Sequence, residues 1–264
     1  SKGEVPNLGS NDGAMFETLH SCDYSDFRPS TQLFFAMLNG YRVFNEGPYD
    51  EVLFWRNQNY LKEYPLKSIN VPIAEILDEQ YFIITNKLIK LFLILPNDKF
   101  RPGSCDAFHL DLWVNGENQL LDSGSFSYNA GGKTTLYKSV ASHNTIQFGS
   151  QEQMPKLSRF LYGNWIKIDA NPKLSITETV IEFEASYNDY CDNKHKRNIR
   201  YLINENKIFV LDYVSSTIKN KTLRWNTNSN NLTIQVISNK KRIEPIIKKS
   251  FKSNYYMEES SKNI

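Results

Sequence analysis

The sequence is poor in the residues from which compact metal and nucleophilic centres are built. Among 264 residues there are 3 cysteines and 4 histidines. Cys22, Cys105 and Cys191 stand far apart with no CxxC pair, which excludes a zinc knuckle or a thioredoxin-type centre. An odd count leaves at least one thiol unpaired, so a disulfide scaffold is disfavoured. No apolar run is long enough to span a bilayer; the longest, residues 88–95, is interrupted by Lys90. There is no GxSxG elbow, no P-loop and no GxGxxG fingerprint. Charge of one sign is also lacking: a formal net charge of +2 gives no reason to expect nucleic acid or an anionic membrane as partner. No signal-peptide pattern opens at Ser1, so for an exported protein that segment is expected to have been removed or to lie upstream.

What is present suits a packed core. Hydrophobic residues make up 40% and aromatic residues 13% of the chain, which argues against disorder. The length allows one large all-β domain, or a smaller domain with part of a second. Residues 1–23 read as loop. Asp26 then offers an N-cap and Pro29 a first-turn proline for a helix over residues 31–44, with Leu33, Phe34, Met37, Leu38 and Tyr41 on one stripe and Gly47-Pro48 as its stop. A second amphipathic segment covers residues 51–64. Two helices cannot enclose a core of their own, so they must pack on the rest of the chain or close a longer helical domain.

After the connector 65–72, β signals dominate. Residues 81–85 and 88–95 read as a hairpin. In residues 108–114, Phe108, Leu110, Leu112 and Val114 share one face, and His109, Asp111 and Trp113 the other. Asn115-Gly116 is a type I′ turn signal. Further strands are expected at 145–148, 165–168, 174–183, 200–203, 208–214 and 232–237, with a turn at 238–240. Tyr255-Tyr256-Met257 looks like the start of one more strand; either the tail frays or a final hairpin is cut off. Many short strands at regular spacing mean packed antiparallel sheets.

The polar residues gather between Phe100 and Phe148. Asp122 and His143 can share a metal, with a second acceptor fixing the imidazole; equally, Asp122 can cap its own Asp-Ser-Gly turn while His143 bonds across strands. His109 and Asp111 suit acid–base chemistry or a satisfied sheet face. Trp113, Tyr128, Tyr137 and Trp165 can stack on sugar rings or fill the core. Ser142 and His143 point to opposite faces as strand neighbours, which argues against a nucleophile–base pair. Cys105 reads as buried. Lys194, His195, Lys196 and Arg197 form a small basic patch that reads as a solvated turn or, less often, a contact to an anionic ligand.

Taken together, residues 106–116 (DAFHLDLWVNG), 122–128 (DSGSFSY), 143–146 (HNTI) and 151–154 (QEQM) resemble the C-terminal domain of the heparinase II/III-like family. So do His195-Lys196-Arg197 with the hairpin ending in Asp212, while residues 9–14 and 26–29 resemble the close of that family's helical domain. The resemblance implies a mainly β fold, a large antiparallel β-sandwich preceded by a short helical remnant of an α/α toroid. The domains would be residues 1–64, the toroid's end, and 65–264, the sandwich. It also implies a polysaccharide lyase acting on uronic-acid polymers such as heparan sulfate or alginate by β-elimination, in the bacterial periplasm or cell envelope. In that family a Tyr and one or more His act as base and acid, with help from the toroid.

Carried over by residue, Asp122 and His143 match two ligands of a structural divalent metal such as zinc, and Ser104 stands where a further histidine ligand is expected. No histidine lies in residues 100–105 to serve catalysis. Catalytic residues are therefore not assigned, and the chain is expected to be inactive without the missing toroid domain of the same protein. Arg101, Asn129 and Tyr137 are expected to border the substrate cleft, and an acidic polysaccharide is the expected partner, with no nucleic acid and no membrane span. The alternative is a non-catalytic carbohydrate-binding or exopolysaccharide-assembly module.

Overall fold

A computed structural model describes residues 3–7, 9, 13–15, 17–169, 171–229, 235–238, 241–253 and 257–264. The chain divides into two compact units, residues 1–6 with 13–72, and residues 7–12 with 73–264. Among the described residues, no helix is long and apolar enough to cross a membrane.

The first unit is helical: α1 (Arg28–Asn39), α2 (Glu51–Arg56) and α3 (Tyr60–Glu63). Asp26 serves α1 from just outside, accepting the Arg28 N–H at 3.0 Å, and Pro29 occupies the first turn. The helix stops earlier than expected, at Gly40, whose φ of 73° is cheap only for glycine. The expected second helix is two short ones. Asn57 breaks it with extended backbone, and its side chain accepts the Asn59 N–H instead. The inward face also differs from the apolar stripe. Gln32 and Ala36 are buried, while Phe34, Met37 and Leu38 are more than half exposed. Gln32 is drawn in because its carboxamide meets the Val43 and Phe44 N–H groups and Asp50 Oδ1.

The second unit is an antiparallel β-sandwich. One sheet has the order β1 (Ala74–Leu77), β2 (Tyr81–Thr85), β3 (Ile89–Ile94), β4 (Leu110–Val114) and β5 (Glu117–Leu120). After it come α4 (Gly132–Tyr137), β6 (Ile146–Phe148), β7 (Lys156–Ser158) and β8 (Leu161–Tyr162). The facing sheet contains β9 (Lys173–Ile176), β10 (Val180–Asn188), β11 (Lys194–Leu202) and β12 (Lys207–Ser215), ordered β12-β11-β10-β9. Phe82, Ile84, Leu91 and Leu93 from the first sheet meet Ile181, Phe183, Ile199 and Tyr201 from the second in one core, with Phe82 stacked on Phe183 at 4.2 Å.

Turn chemistry fixes the registers. Asn115 and Gly116 both take positive φ, as a type I′ turn requires. The expected strand 174–183 is a hairpin instead, closed by Thr177, whose backbone and side chain both bond Val180. At 165–168 there is only an isolated bridge at Ile168, the Trp165 indole having turned to donate to the Tyr162 carbonyl. Short strands close the chain: β13 (Lys221–Leu223) on β6, the hairpin β14 (Val236–Ser238) with β15 (Lys241–Ile243), and β16 (Lys249–Lys252) with β17 (Ser260–Asn263). Half of the expected strand 232–237, part of the turn 238–240, and Tyr255 with Tyr256 lie outside the described residues.

Candidate functional site

The run Lys194, His195, Lys196, Arg197 lies on β11, and a strand sends alternate side chains to opposite faces. His195 and Arg197 therefore point into the core, where both are 0% exposed, and only the lysines face outward. The expected solvated turn is therefore a strand instead, and only its two lysines are solvated. The guanidinium grips Asp212, its register partner on β12, with Nε–Oδ1 at 2.7 Å and Nη2–Oδ2 at 2.9 Å. Its remaining donor, Nη1, reaches the carbonyls of Phe108 and Asn144 at 2.6 and 2.9 Å. His195 also donates to Asp212 Oδ1, while Tyr187, held by Gln153, lies against its other nitrogen. Burial would raise the Asp212 carboxyl, but Arg197 and His195 hold it well below the usual carboxylate range.

Asn144 passes this order on to the loops. Its N–H donates to His109 Nδ1 at 2.9 Å, and its amide bonds the carbonyls of Leu110 and Leu121. Its Oδ1 receives the Asn226 N–H at 2.6 Å. Asp122 and His143 meet beneath this knot, Oδ2 to Nε2 at 3.1 Å. His143 Nδ1 donates to the Ser139 carbonyl, so the other ring nitrogen is the one that faces the carboxylate. Burial lowers the imidazole, yet Asp122 more than offsets it and its pKa is raised. Asp122 Oδ1 accepts the Gly124 N–H at 2.6 Å and the Asn7 amide at 3.1 Å, the turn-capping bond expected of an Asp-Ser-Gly sequence. At Gly124, with φ +88°, a Cβ would strike the Ser253 carbonyl oxygen, so only glycine lets this segment approach.

His109 has the opposite tautomer from His143. Its Nδ1 accepts a backbone N–H, so Nε2 carries the proton, 4.0 Å from both Asp111 Oδ2 and Asp122 Oδ2 and without a hydrogen-bond partner. A protonated nitrogen is not a metal ligand, and Ser104 is buried next to Cys105. Asp122 Oδ2 and His143 Nε2 thus converge, with a proton shared between them; among the described residues no group of three ligating side chains does. Lys262, buried and donating to Ser123 Oγ, adds positive charge nearby; burial pulls it down to about 8 against the attraction of Asp122. The Cys105 thiol is buried and pushed up, which removes it from reactive chemistry.

A solvent-facing cleft of about 250 Å³ lies elsewhere on this unit, lined by Arg101, Pro102, Gly103, Tyr128, Lys138, Phe160 and Tyr162. Of the three residues expected to border substrate, Arg101 is in this lining. Asn129 is exposed one residue from Tyr128 and takes the Arg159 guanidinium on its Oδ1 at 2.7 Å. Tyr137 is buried, stacked on Phe126, with its hydroxyl donating to Glu259. Trp113 is buried, whereas Trp165 is partly exposed. Sequence reasoning missed Lys138, Phe160 and Tyr162, because the cleft is assembled from separate segments.

Removing one partner of a buried, hydrogen-bonded ion pair leaves the other charge stranded. Arg197→Met is expected to lower stability in urea unfolding by about 3–5 kcal/mol, and an added Asp212→Leu to restore part of that loss. The pH dependence has a definite sign. Asp212 is depressed on folding, so its contribution is complete well above the ordinary value of 3.8 and is lost as pH falls. The stability advantage of the natural protein over Asp212→Asn should therefore be largest above about pH 5 and shrink steadily toward about pH 2.

The family model for the heparinase II/III-like C-terminal domain matches residues 88–261. Solved structures of similar fold include heparan sulfate lyase HepC from Pedobacter heparinus, with 13% identity and a TM-score of 0.59 over 98% of this chain and 40% of that one. A crystal structure of heparinase III gives 14% identity and a TM-score of 0.57, covering 99% of this chain and 43% of that one. A heparinase III with methylated lysines gives 14% and 0.57 over 81% of this chain and 36% of that one. At these identities the likeness is one of fold, and the chain spans only 36–43% of the length of these structures. No curated protein sequence matches it. The family match runs from the β2–β3 turn into β17 and takes in Arg197, Asp212, Asp122 and His143; on that match the chain belongs to the heparinase II/III-like family, whose C-terminal domain it carries.

Proposed function

We propose that the chain is the C-terminal portion of a polysaccharide lyase that cleaves uronic-acid-containing acidic polysaccharides by β-elimination, and that it is inactive alone. The observation that carries this reading is the cleft, in which cationic side chains stand beside aromatic faces. β-Elimination removes a proton from C5 of a uronate, and positive charge at the neighbouring carboxylate stabilises the carbanion that forms. Arg101 would supply such charge, Asn129 would hold Arg159 at the rim, and Tyr137 would brace the wall from behind through Glu259. Among the described residues no histidine lines the cleft. His109, His143 and His195 are all buried and committed to protein groups, so base and acid would come from the toroid part of the same protein. The exposed Phe34, Met37 and Leu38 of α1 suit a helical face that further toroid helices would cover. The compartment that goes with this reading is the bacterial periplasm or cell envelope.

Asp122 and His143 would be the two protein ligands of one structural divalent metal such as zinc, with water completing its coordination. The ion would neutralise Asp122 and hold the loop that follows it. Ser104, in the place of a histidine, favours a second reading, a non-catalytic carbohydrate-binding or exopolysaccharide-assembly module.

Incubation with heparan sulfate or alginate, following ultraviolet absorbance of the unsaturated product, should give no turnover by this chain and turnover once the toroid part is supplied. Turnover by the chain alone would contradict the division of labour; none in either case would favour the binding module. Metal analysis of purified protein is expected to give about one equivalent, lost in His143→Ala; a value near zero in the unsubstituted protein would leave a proton as the charge shared by the pair.

A further inference from the structure

Lys138 follows the last turn of α4 and is 5% exposed. Its backbone carbonyl accepts the Cys105 N–H at 2.9 Å, which ties it to the wall formed by residues 101–103. Its ammonium lies 5.7 Å from the Tyr128 ring centroid and 5.4 Å from that of Phe160. These rings are nearly perpendicular, at 78°, and form a corner with the ammonium between them. Among the described residues no carboxylate pairs with Lys138 and no hydrogen bond is made by its Nζ. The charge that acts on it is a second cation, Lys156, and burial together with that repulsion lowers its pKa. Ring faces return to a cation only part of what burying an ammonium costs. The ammonium is thus partly desolvated, without a counter-charge among the described residues, and borders the cleft that Arg101 also lines.

We propose that Lys138 is the anchor of an oxyanion subsite for one anionic sugar ring. The carboxylate of a hexuronate, or a sulfate ester on such a ring, lies on the ammonium with Arg101 closing over it, and the apolar C–H face of the ring packs on Phe160 or Tyr128. The cleft volume of about 250 Å³ suits a single ring. This proposal rests on the acidic-polysaccharide reading and specifies where one residue of that polymer is held.

The test is calorimetric titration of the protein with three tetrasaccharides: an unsulfated oligouronate, its sulfated counterpart and its carboxyl-reduced neutral form. Binding of a charged oligomer that weakens about tenfold or more in Lys138→Met, with the neutral form binding no better than the variant does, supports the subsite. The stronger of the two charged ligands identifies carboxylate or sulfate as the preferred anion. Equal binding by natural protein and Lys138→Met overturns the subsite and leaves the acidic-polysaccharide reading standing; no binding of either charged oligomer overturns both. Melting curves verify that the variant folds. Should it not, Arg101→Ala and Phe160→Ala, at exposed positions, carry the same comparison: weaker charged-ligand binding in both supports the subsite, and unchanged binding in both overturns it.

Discussion

A charged guanidinium inside a β-sandwich is the constraint around which this unit is arranged. Arg197 is 0% exposed, and an ion so placed must have its charge neutralised and its donors satisfied. Asp212 neutralises it, in register across β11 and β12. Nη1 then fixes the carbonyls of Phe108 and Asn144, one leading into β4 and the other into β6. Phe108 holds a left-handed φ of 60°, and its N–H and carbonyl are both bound, to Ile94 and Arg197. That is how strain at a non-glycine residue persists. One ion pair on the second sheet thereby sets the paths of loops that begin on the first.

Two polar regions with different physics result. The region of Asp122, His143, His109 and Asn144 is buried, and most of its polar atoms are engaged by protein groups; its role is to hold loops. The cleft of Arg101, Tyr128, Lys138 and Phe160 faces solvent, and among the described residues no carboxylate pairs with Lys138. The buried histidines of this unit are thereby kept apart from the cleft, which Arg101 and Lys138 line.

The periodic part of this arrangement could be read in the sequence. The apolar runs marked the hairpin of Tyr81–Thr85 with the strand after it, and Asn115-Gly116 marked the β4–β5 turn, because each depends on neighbours along the chain. Local adjacency also misled. Lys194 to Arg197 look like one patch when read as a string, yet period two separates them into an outer pair and a buried pair. Gln32 turned inward where Phe34 and Leu38 were expected, since unpaired N–H groups at Val43 and Phe44 need an acceptor more than the small core needs another apolar residue. The cleft had no signature at all. Its walls come from residues 101–103, 128, 138 and 160–162, which meet through long-range contacts such as the Cys105–Lys138 backbone bond and the Tyr128–Phe160 ring pair.

Native-state hydrogen exchange of Arg197→Met tests the central dependence most directly. The amides of Asn144 and Asn226 donate to His109 and to Asn144 Oδ1, far in sequence from the substitution. The account predicts that both lose more protection than the ladder amides of β10 and β11, because the loops are released before the sheet opens. Protection that falls uniformly across the unit, with these two amides no more affected than the ladder, would contradict it.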